Sequence, residues 1–149
     1  MSLRDSIGPD NVAVGLKAAN KAQAIDRLLE LLVAGGKLKD LNAAREAVLA
    51  RERKMSTGMK NGIAIPHGKT EAVDELVACL AISERPIDFE SLDGLPSRIF
   101  IMTLSPPSKT GPHLQFLAEV SQLFKSPERR QALLDARSPE ALLDALYAR

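Results

Sequence analysis

The sequence predicts an α/β fold: a mixed β-sheet of about five strands flanked by helices on both faces, in a single domain over residues 1–149. Three observations lead there. Short runs rich in Val, Ile and Phe are interleaved with helical patterns in the first half of the chain. Two of those runs, residues 77–83 and 98–104, are apolar without alternation, as strands covered on both faces are. Beyond the Pro106-Pro107 pair the periodicity becomes helical to the end.

Taken in order, residues 11–18 place Val12, Val14 and Leu16 at alternate positions, the period of a half-buried strand. Asn20 can cap a following helix, because its side-chain oxygen accepts from a free first-turn amide. Ala24, Leu28, Leu31 and Leu32 give that helix its apolar face, and Gly35-Gly36 ends it. A second helix is predicted over 41–53, with Ala44, Ala47 and Val48 facing the core and Asp40 or Asn42 as cap. Residues 55–62, with two glycines and an asparagine, read as loop. Ile63-Ala64-Ile65 reads as a short strand terminated by Pro66, which offers no amide to a ladder. Residues 87–89 suggest a short edge element before an Asp93-Gly94 turn. Pro112 suits the first turn of a helix whose face runs through Leu114, Leu117, Val120, Ser121 and Phe124. Two final helices, over 127–136 and 139–148, each begin with Ser-Pro-Glu, a serine cap followed by proline in the first turn.

Composition removes several function classes. Twenty Lys+Arg against nineteen Asp+Glu leave a net charge of +1, which argues against a dedicated nucleic-acid binder, and an aromatic fraction of 3% is too sparse for base-stacking platforms. Hydrophobic residues at 45% and charged residues at 26% are the mix of a globular protein. No apolar run approaches the roughly 20 residues that span a bilayer, so no membrane insertion is expected. No secretory leader opens the chain, and the lone Cys79 rules out an internal disulfide; both fit a reducing cytoplasm. Two histidines and one cysteine, far apart, give no metal site, and neither phosphate-loop nor dinucleotide glycine motif is present, so no cofactor is expected.

The chemistry then rests on few residues. His67 sits between Pro66 and Gly68 after a strand, where a side chain is rigidly held yet reachable. His113 opens a helix, whose positive end favours an anion. Imidazole at neutral pH is a nucleophile toward phosphorus, and a phosphoryl group on it needs cationic neighbours. Arg51 and Arg53 at the end of the second helix and Lys69 beside the histidine are the candidates, with arginine favoured because its planar fork can hold two oxygens. Spacing does not choose among them. Ser56 and Thr57 in the preceding loop could donate hydrogen bonds to a phosphoryl group, and Asn61 joins them as a candidate phosphoryl-binding residue. Cys79, within an apolar strand, reads as packing.

The block Arg51-Glu52-Arg53, Ser56-Thr57-Gly58 and Asn61-Gly62-Ile63-Ala64-Ile65-Pro66-His67-Gly68-Lys69 resembles the fructose/mannitol-type enzyme IIA domain of the bacterial phosphoenolpyruvate-dependent sugar phosphotransferase system, a family that includes nitrogen-regulatory IIA proteins. Asp93-Gly94-Leu95-Pro96 and the His113-Leu114 helix start agree, and the likeness runs from the Val12 strand to the last helix. It implies a mixed sheet flanked by helices and a phosphoryl carrier without metal or nucleotide. His67 would take the phosphoryl group from an HPr-like phosphocarrier and pass it to a IIB domain, with His113 as auxiliary histidine and Arg51 steadying the group. Lys60 departs from the small residue many members carry there. The resemblance leaves a transport role and a regulatory role toward target proteins both open; the absence of a fused IIB or IIC segment favours the regulatory one. An interaction module without phosphoryl transfer is the alternative, against which His67, Arg51 and His113 argue. Met55, Met59 and Phe116 are expected on an apolar docking rim, with burial the plainer account of Phe116.

Overall fold

The computed structural model describes residues 6–148. After a 3-10 turn at Pro9–Asn11 come β1 (Val12–Leu16), α1 (Lys21–Ala34), α2 (Leu41–Lys54), β2 (Ile63–Ala64), β3 (His67–Lys69), β4 (Val77–Ile87), β5 (Ser97–Ser105), α3 (Thr110–Leu123), α4 (Pro127–Asp135) and α5 (Pro139–Tyr147). Among the described residues the five strands form one sheet in the order β1-β4-β5-β2, with β3 also on β5. β1 runs parallel to β4, β4 antiparallel to β5, and β2 and β3 parallel to β5, so the sheet is mixed as predicted.

Both long central strands are buried on two faces, which is why their sequences lack alternation. Val77, Cys79 and Ala81 of β4 and Phe100, Met102 and Leu104 of β5 pack against Leu28, Leu29 and Leu32 of α1 and Ala44 and Val48 of α2. Ala78, Leu80 and Ile82, with Ile99 and Ile101, face Phe116 and Val120 of α3, Leu133 of α4 and Leu142 and Leu146 of α5. The caps follow the sequence: Asn20, Asp40, Ser126 and Ser138 each accept from an amide three residues on.

Four local expectations are corrected. Leu16 does not share a face with Val12 and Val14: it packs with Ala13 on the α1 side. Between Ala13 and Leu16 the strand carries one residue more than its partner, a bulge in which Gly15 adopts φ +68° and the side-chain alternation is reset. Pro66 does interrupt the strand, for β2 stops at Ala64, but pairing resumes beyond it at His67. β2 pairs with Ile99 and Phe100 and β3 with Thr103–Ser105 in the same register, and between them the Pro66 carbonyl accepts from the Thr103 amide at 3.1 Å. The Pro66 nitrogen lies on the same side as that carbonyl and faces β5, so its missing N–H removes one ladder bond and leaves the gap between β2 and β3. His67 is accordingly a strand residue rather than a turn residue. Ile87 belongs to the end of β4, opposite Ser97, with Phe89 buried beyond it, rather than to a separate edge element. Finally, α3 starts at Thr110 and buries His113, Phe116 and Val120, so Leu114 is 61% exposed and Phe116, at 1%, is core rather than rim.

The loop before β2 is a hairpin folded back on the edge strand. The Met59 amide donates to the Ile63 carbonyl at 2.7 Å and the Ile65 amide to the Thr57 carbonyl at 3.0 Å. Asn61 and Gly62, both left-handed at φ +67° and +78°, make its tip, a backbone conformation that asparagine and glycine adopt at least cost.

Candidate functional site

His67 opens β3 with its ring half-buried. Its Nδ1 lies 2.8 Å from the Ile65 carbonyl. A carbonyl only accepts, so Nδ1 carries the proton and Nε2 is the nitrogen with the free lone pair. Burial lowers the proton affinity of His67 below that of a free imidazole; the Ile65 bond and Glu52 act the other way, and Arg51 adds to the lowering. The ring is therefore neutral at neutral pH, the form in which it is a nucleophile.

A cavity of about 470 Å³ opens against this ring, with Arg51 at its wall and Met55, Met59, Ile65, Leu92 and Leu117 as its apolar lining. Arg51 reaches it from the last turn of α2, where Nη1 donates to the Met55 carbonyl at 2.7 Å. Arg53, two residues on, does not line the cavity and remains exposed at the carbonyl end of the helix. Of the two arginines that spacing left open, the fold brings Arg51 to the histidine.

The second histidine arrives from the opposite face of the sheet edge. The His67 and His113 ring centroids are 5.5 Å apart with planes tilted by 55°. His113 is 4% exposed, and its Nδ1 lies 2.8 Å from Ser105 Oγ at the end of β5. Burial, then the proximity of His67 and Lys69, pushes it down to about 4, so it too is uncharged at neutral pH. It lies one turn inside α3, with its amide donated to the Lys109 carbonyl, and so contributes a ring rather than a free helix-end amide. Lys69, on the same side of β3 as His67, ties its ammonium to Thr110 Oγ1 at 3.0 Å.

The hydroxyl candidates are placed differently from the sequence expectation. Ser56 Oγ donates to the Phe89 carbonyl at 2.6 Å and accepts from the Gly58 amide at 3.0 Å. Thr57 is buried and its hydroxyl donates to Glu52 Oε2. Both line the cavity but spend their hydroxyl protons on Phe89 and Glu52 rather than toward it. Asn61 does not line the His67 cavity; it sits at the hairpin tip, beside a neighbouring groove, with its amide on Asp93 Oδ2 at 3.1 Å. Among the rim candidates, Met55 is 69% exposed and Met59 40%.

Sequence reasoning missed three participants. Glu52 is 8% exposed beneath the loop, in an ion pair with Lys21 at 2.8 Å. The stripe Ala44, Val48, Glu52 steps by four, so helical periodicity alone could have placed this acid on the buried face. Glu90 lines the cavity with φ +54° and is bonded to Lys21 at 3.2 Å, and Ser105 supports His113; neither had a sequence signal.

Comparison with known proteins finds relatives that match nearly the whole chain. The family described as "Phosphoenolpyruvate-dependent sugar phosphotransferase system, EIIA 2" matches residues 6–148. The chain belongs to that family. Among EIIA relatives, it is 38% identical over 128 residues to the fructose-specific EIIA component of Haloferax volcanii, covering 86% of this chain and 83% of that one. It is 32% identical to a nitrogen regulatory protein of Bradyrhizobium diazoefficiens, over 98% of this chain and 95% of that one. The fructose-specific EIIABC component of Bacillus subtilis is 34% identical over 98% of this chain, which spans only 23% of that longer protein. The fold superposes on the nitrogen regulatory protein IIA-Ntr of Neisseria meningitidis with a TM-score of 0.88 at 25% identity, covering 95% of this chain and 97% of that one. It also matches, at TM-score 0.80 and 25% identity over 95% of this chain and 97% of that one, a structure of the Escherichia coli complex of enzyme IIA mannitol and phosphorylated enzyme IIB mannitol. Among the described residues of this EIIA chain, no helix is long and apolar enough to cross a membrane.

Proposed function

We propose that this EIIA chain is a phosphoryl carrier in which His67 takes a phosphoryl group from an HPr-like phosphocarrier and relays it to a IIB domain. The observation that carries the reading is the pairing of a neutral imidazole, its Nδ1 proton committed to Ile65 and its Nε2 lone pair free, with the Arg51 guanidinium in one cavity. Nε2 would attack phosphorus in line with the donor nitrogen. The new N–P bond forms as the donor's N–P bond breaks, and the departing nitrogen recovers its electron pair. With a donor imidazole whose other nitrogen keeps its proton, no proton has to move. Arg51 would offset the charge on the incoming oxygens, and the neutral His113 would line the group's other side, which makes catalysis a matter of positioning and electrostatics. Ser56 and Thr57 would shape the loop rather than bind oxygens through their hydroxyls, and Asn61 would act at the hairpin tip.

The exposed Met55 and Met59 beside the cavity suit repeated, short-lived docking of different partners. Likeness to both a fructose-specific EIIA component and a nitrogen regulatory protein supports a second reading, in which target proteins sense whether His67 carries phosphate.

The test is phosphoryl transfer from a phosphorylated HPr-type donor, scored as protein-bound phosphate that is acid-labile and alkali-stable. His67→Ala should take up none while its circular dichroism stays that of the wild type. Arg51→Ala should slow uptake by about a hundredfold, the order of loss when one charge-stabilising donor is removed from a reacting centre. Undiminished incorporation into His67→Ala would overturn the assignment.

A further inference from the structure

Glu52 lies outside the cavity wall, yet its carboxylate is the most heavily engaged acid near His67. It is buried on the inner stripe of α2 and accepts three donors. Lys21 Nζ approaches Oε1 at 2.8 Å from the first turn of α1. The Thr57 amide donates to Oε1 at 3.1 Å, and the Thr57 hydroxyl donates to Oε2. A buried carboxylate so supplied holds its donors in one geometry.

The bonds continue in one direction. The Thr57 carbonyl accepts from the Ile65 amide at 3.0 Å, and the Ile65 carbonyl accepts from His67 Nδ1 at 2.8 Å. Thr57 thus grips one side of the Ile65 residue while His67 leans on the other. A free neutral imidazole side chain favours the opposite tautomer, with its proton on Nε2, where it would block the nucleophilic nitrogen. Keeping the proton on Nδ1 therefore depends on a carbonyl fixed in place, and the residue carrying that carbonyl is anchored through Thr57 to Glu52.

Resting on the carrier reading above, we infer that Glu52 is a positioning residue for phosphoryl transfer: clamped by Lys21, it fixes the Thr57 peptide and so the Ile65 carbonyl that leaves His67 Nε2 free to react. Its neighbour in sequence, Arg51, is steadied by the same loop through the Met55 carbonyl. One carboxylate thus sets the geometry of both the nucleophile and its counter-charge. Glu52 also favours protonation of His67, opposing Arg51.

The experiment has two arms. Long-range nitrogen–proton correlation of the 15N-labelled imidazoles reports the His67 tautomer with no donor present. Uptake of phosphate from the small donor phosphoramidate reports the reactivity of Nε2 without any partner protein. Glu52→Ala should convert His67 largely to the Nε2–H form and slow uptake about tenfold, the effect of releasing one buried hydrogen bond. Glu52→Gln, which can still accept from the Thr57 amide, should restore most of both. If Glu52→Ala does not fold, Glu52→Gln and Thr57→Val carry the test, each giving a smaller tautomer shift with a matching loss of rate. A lowered melting temperature with unchanged tautomer and rate in these variants would reduce Glu52 to a structural residue and overturn the inference. Wild-type protein that shows the Nδ1–H tautomer but takes no phosphate on His67 would instead sink the carrier reading, so the two failures are separable.

Discussion

At neutral pH two uncharged imidazoles sit with their centroids 5.5 Å apart, and burial is the main reason neither carries a proton. That state has a consequence for stability. His113 is pushed down to about 4 in the folded protein against an ordinary 6.5, so between those values the unfolded chain binds the extra proton and the folded one does not. Stability from this group is therefore fully present above the ordinary value and is lost as pH falls toward 4. His67, lowered as well, adds to the same slope. Melting temperatures measured across this window should fall on acidification, and the fall should be shallower in His113→Asn. An identical slope in that variant would show that His113 is not held neutral by its site. Both histidines were legible in the sequence as residues able to carry the chemistry, because imidazole is a nucleophile toward phosphorus at neutral pH. Their charge states were not, since proton affinity follows from burial and from neighbours that only the fold supplies.

At the level of elements, the edge strand and the helix that passes it are the parts that build the site. Gly68 lies against the backbone of α2: a Cβ there would meet the Ala47 carbonyl carbon at 3.1 Å and the Val48 nitrogen at 3.2 Å. This close approach lets Arg51, one turn further along α2, reach the ring of His67. Gly58 is tighter, with a Cβ falling 2.8 Å from Ser91 Cα and 2.9 Å from the Phe89 carbonyl oxygen. Gly68→Ala should cost about 1 kcal/mol in urea denaturation and Gly58→Ala about 2–3, within the range for overpacking a fitted interface. The reverse order would mean that the hairpin yields more readily than the helix. Element ends were readable because their causes are local: the Asn20, Asp40, Ser126 and Ser138 caps and the Ser-Pro-Glu starts need nothing beyond their own turn. The bulge at Gly15 and the resumption of the strand after Pro66 were not, because both depend on which partner strand lies alongside and on which side.

Taken as one molecule, the protein is a sheet with two separate apolar layers, α1 and α2 on one face and α3, α4 and α5 on the other. Leu28 and Leu142, each fully buried, sit in different layers with the sheet between them. Leu28→Ala and Leu142→Ala should each cost about 2–4 kcal/mol, and the double variant should lose their sum to within about 0.5 kcal/mol in a single transition. Two resolved transitions would mean that the layers unfold independently. By itself the amino-acid sequence determined the α/β class, the helix caps and the residue types that could do the chemistry. These follow from periodicity, turn-level hydrogen bonding and intrinsic side-chain reactivity, all of which act over a few residues. Spacing in the sequence left open what tertiary structure decided: that Arg51 rather than Arg53 faces His67, that His113 comes within ring contact, and that Glu52 and Ser105 stand behind them. The physical reason is that these neighbours are brought together by pairing of β3 with β5 and by packing of α2 against that edge, contacts between segments distant in the chain that no local pattern encodes.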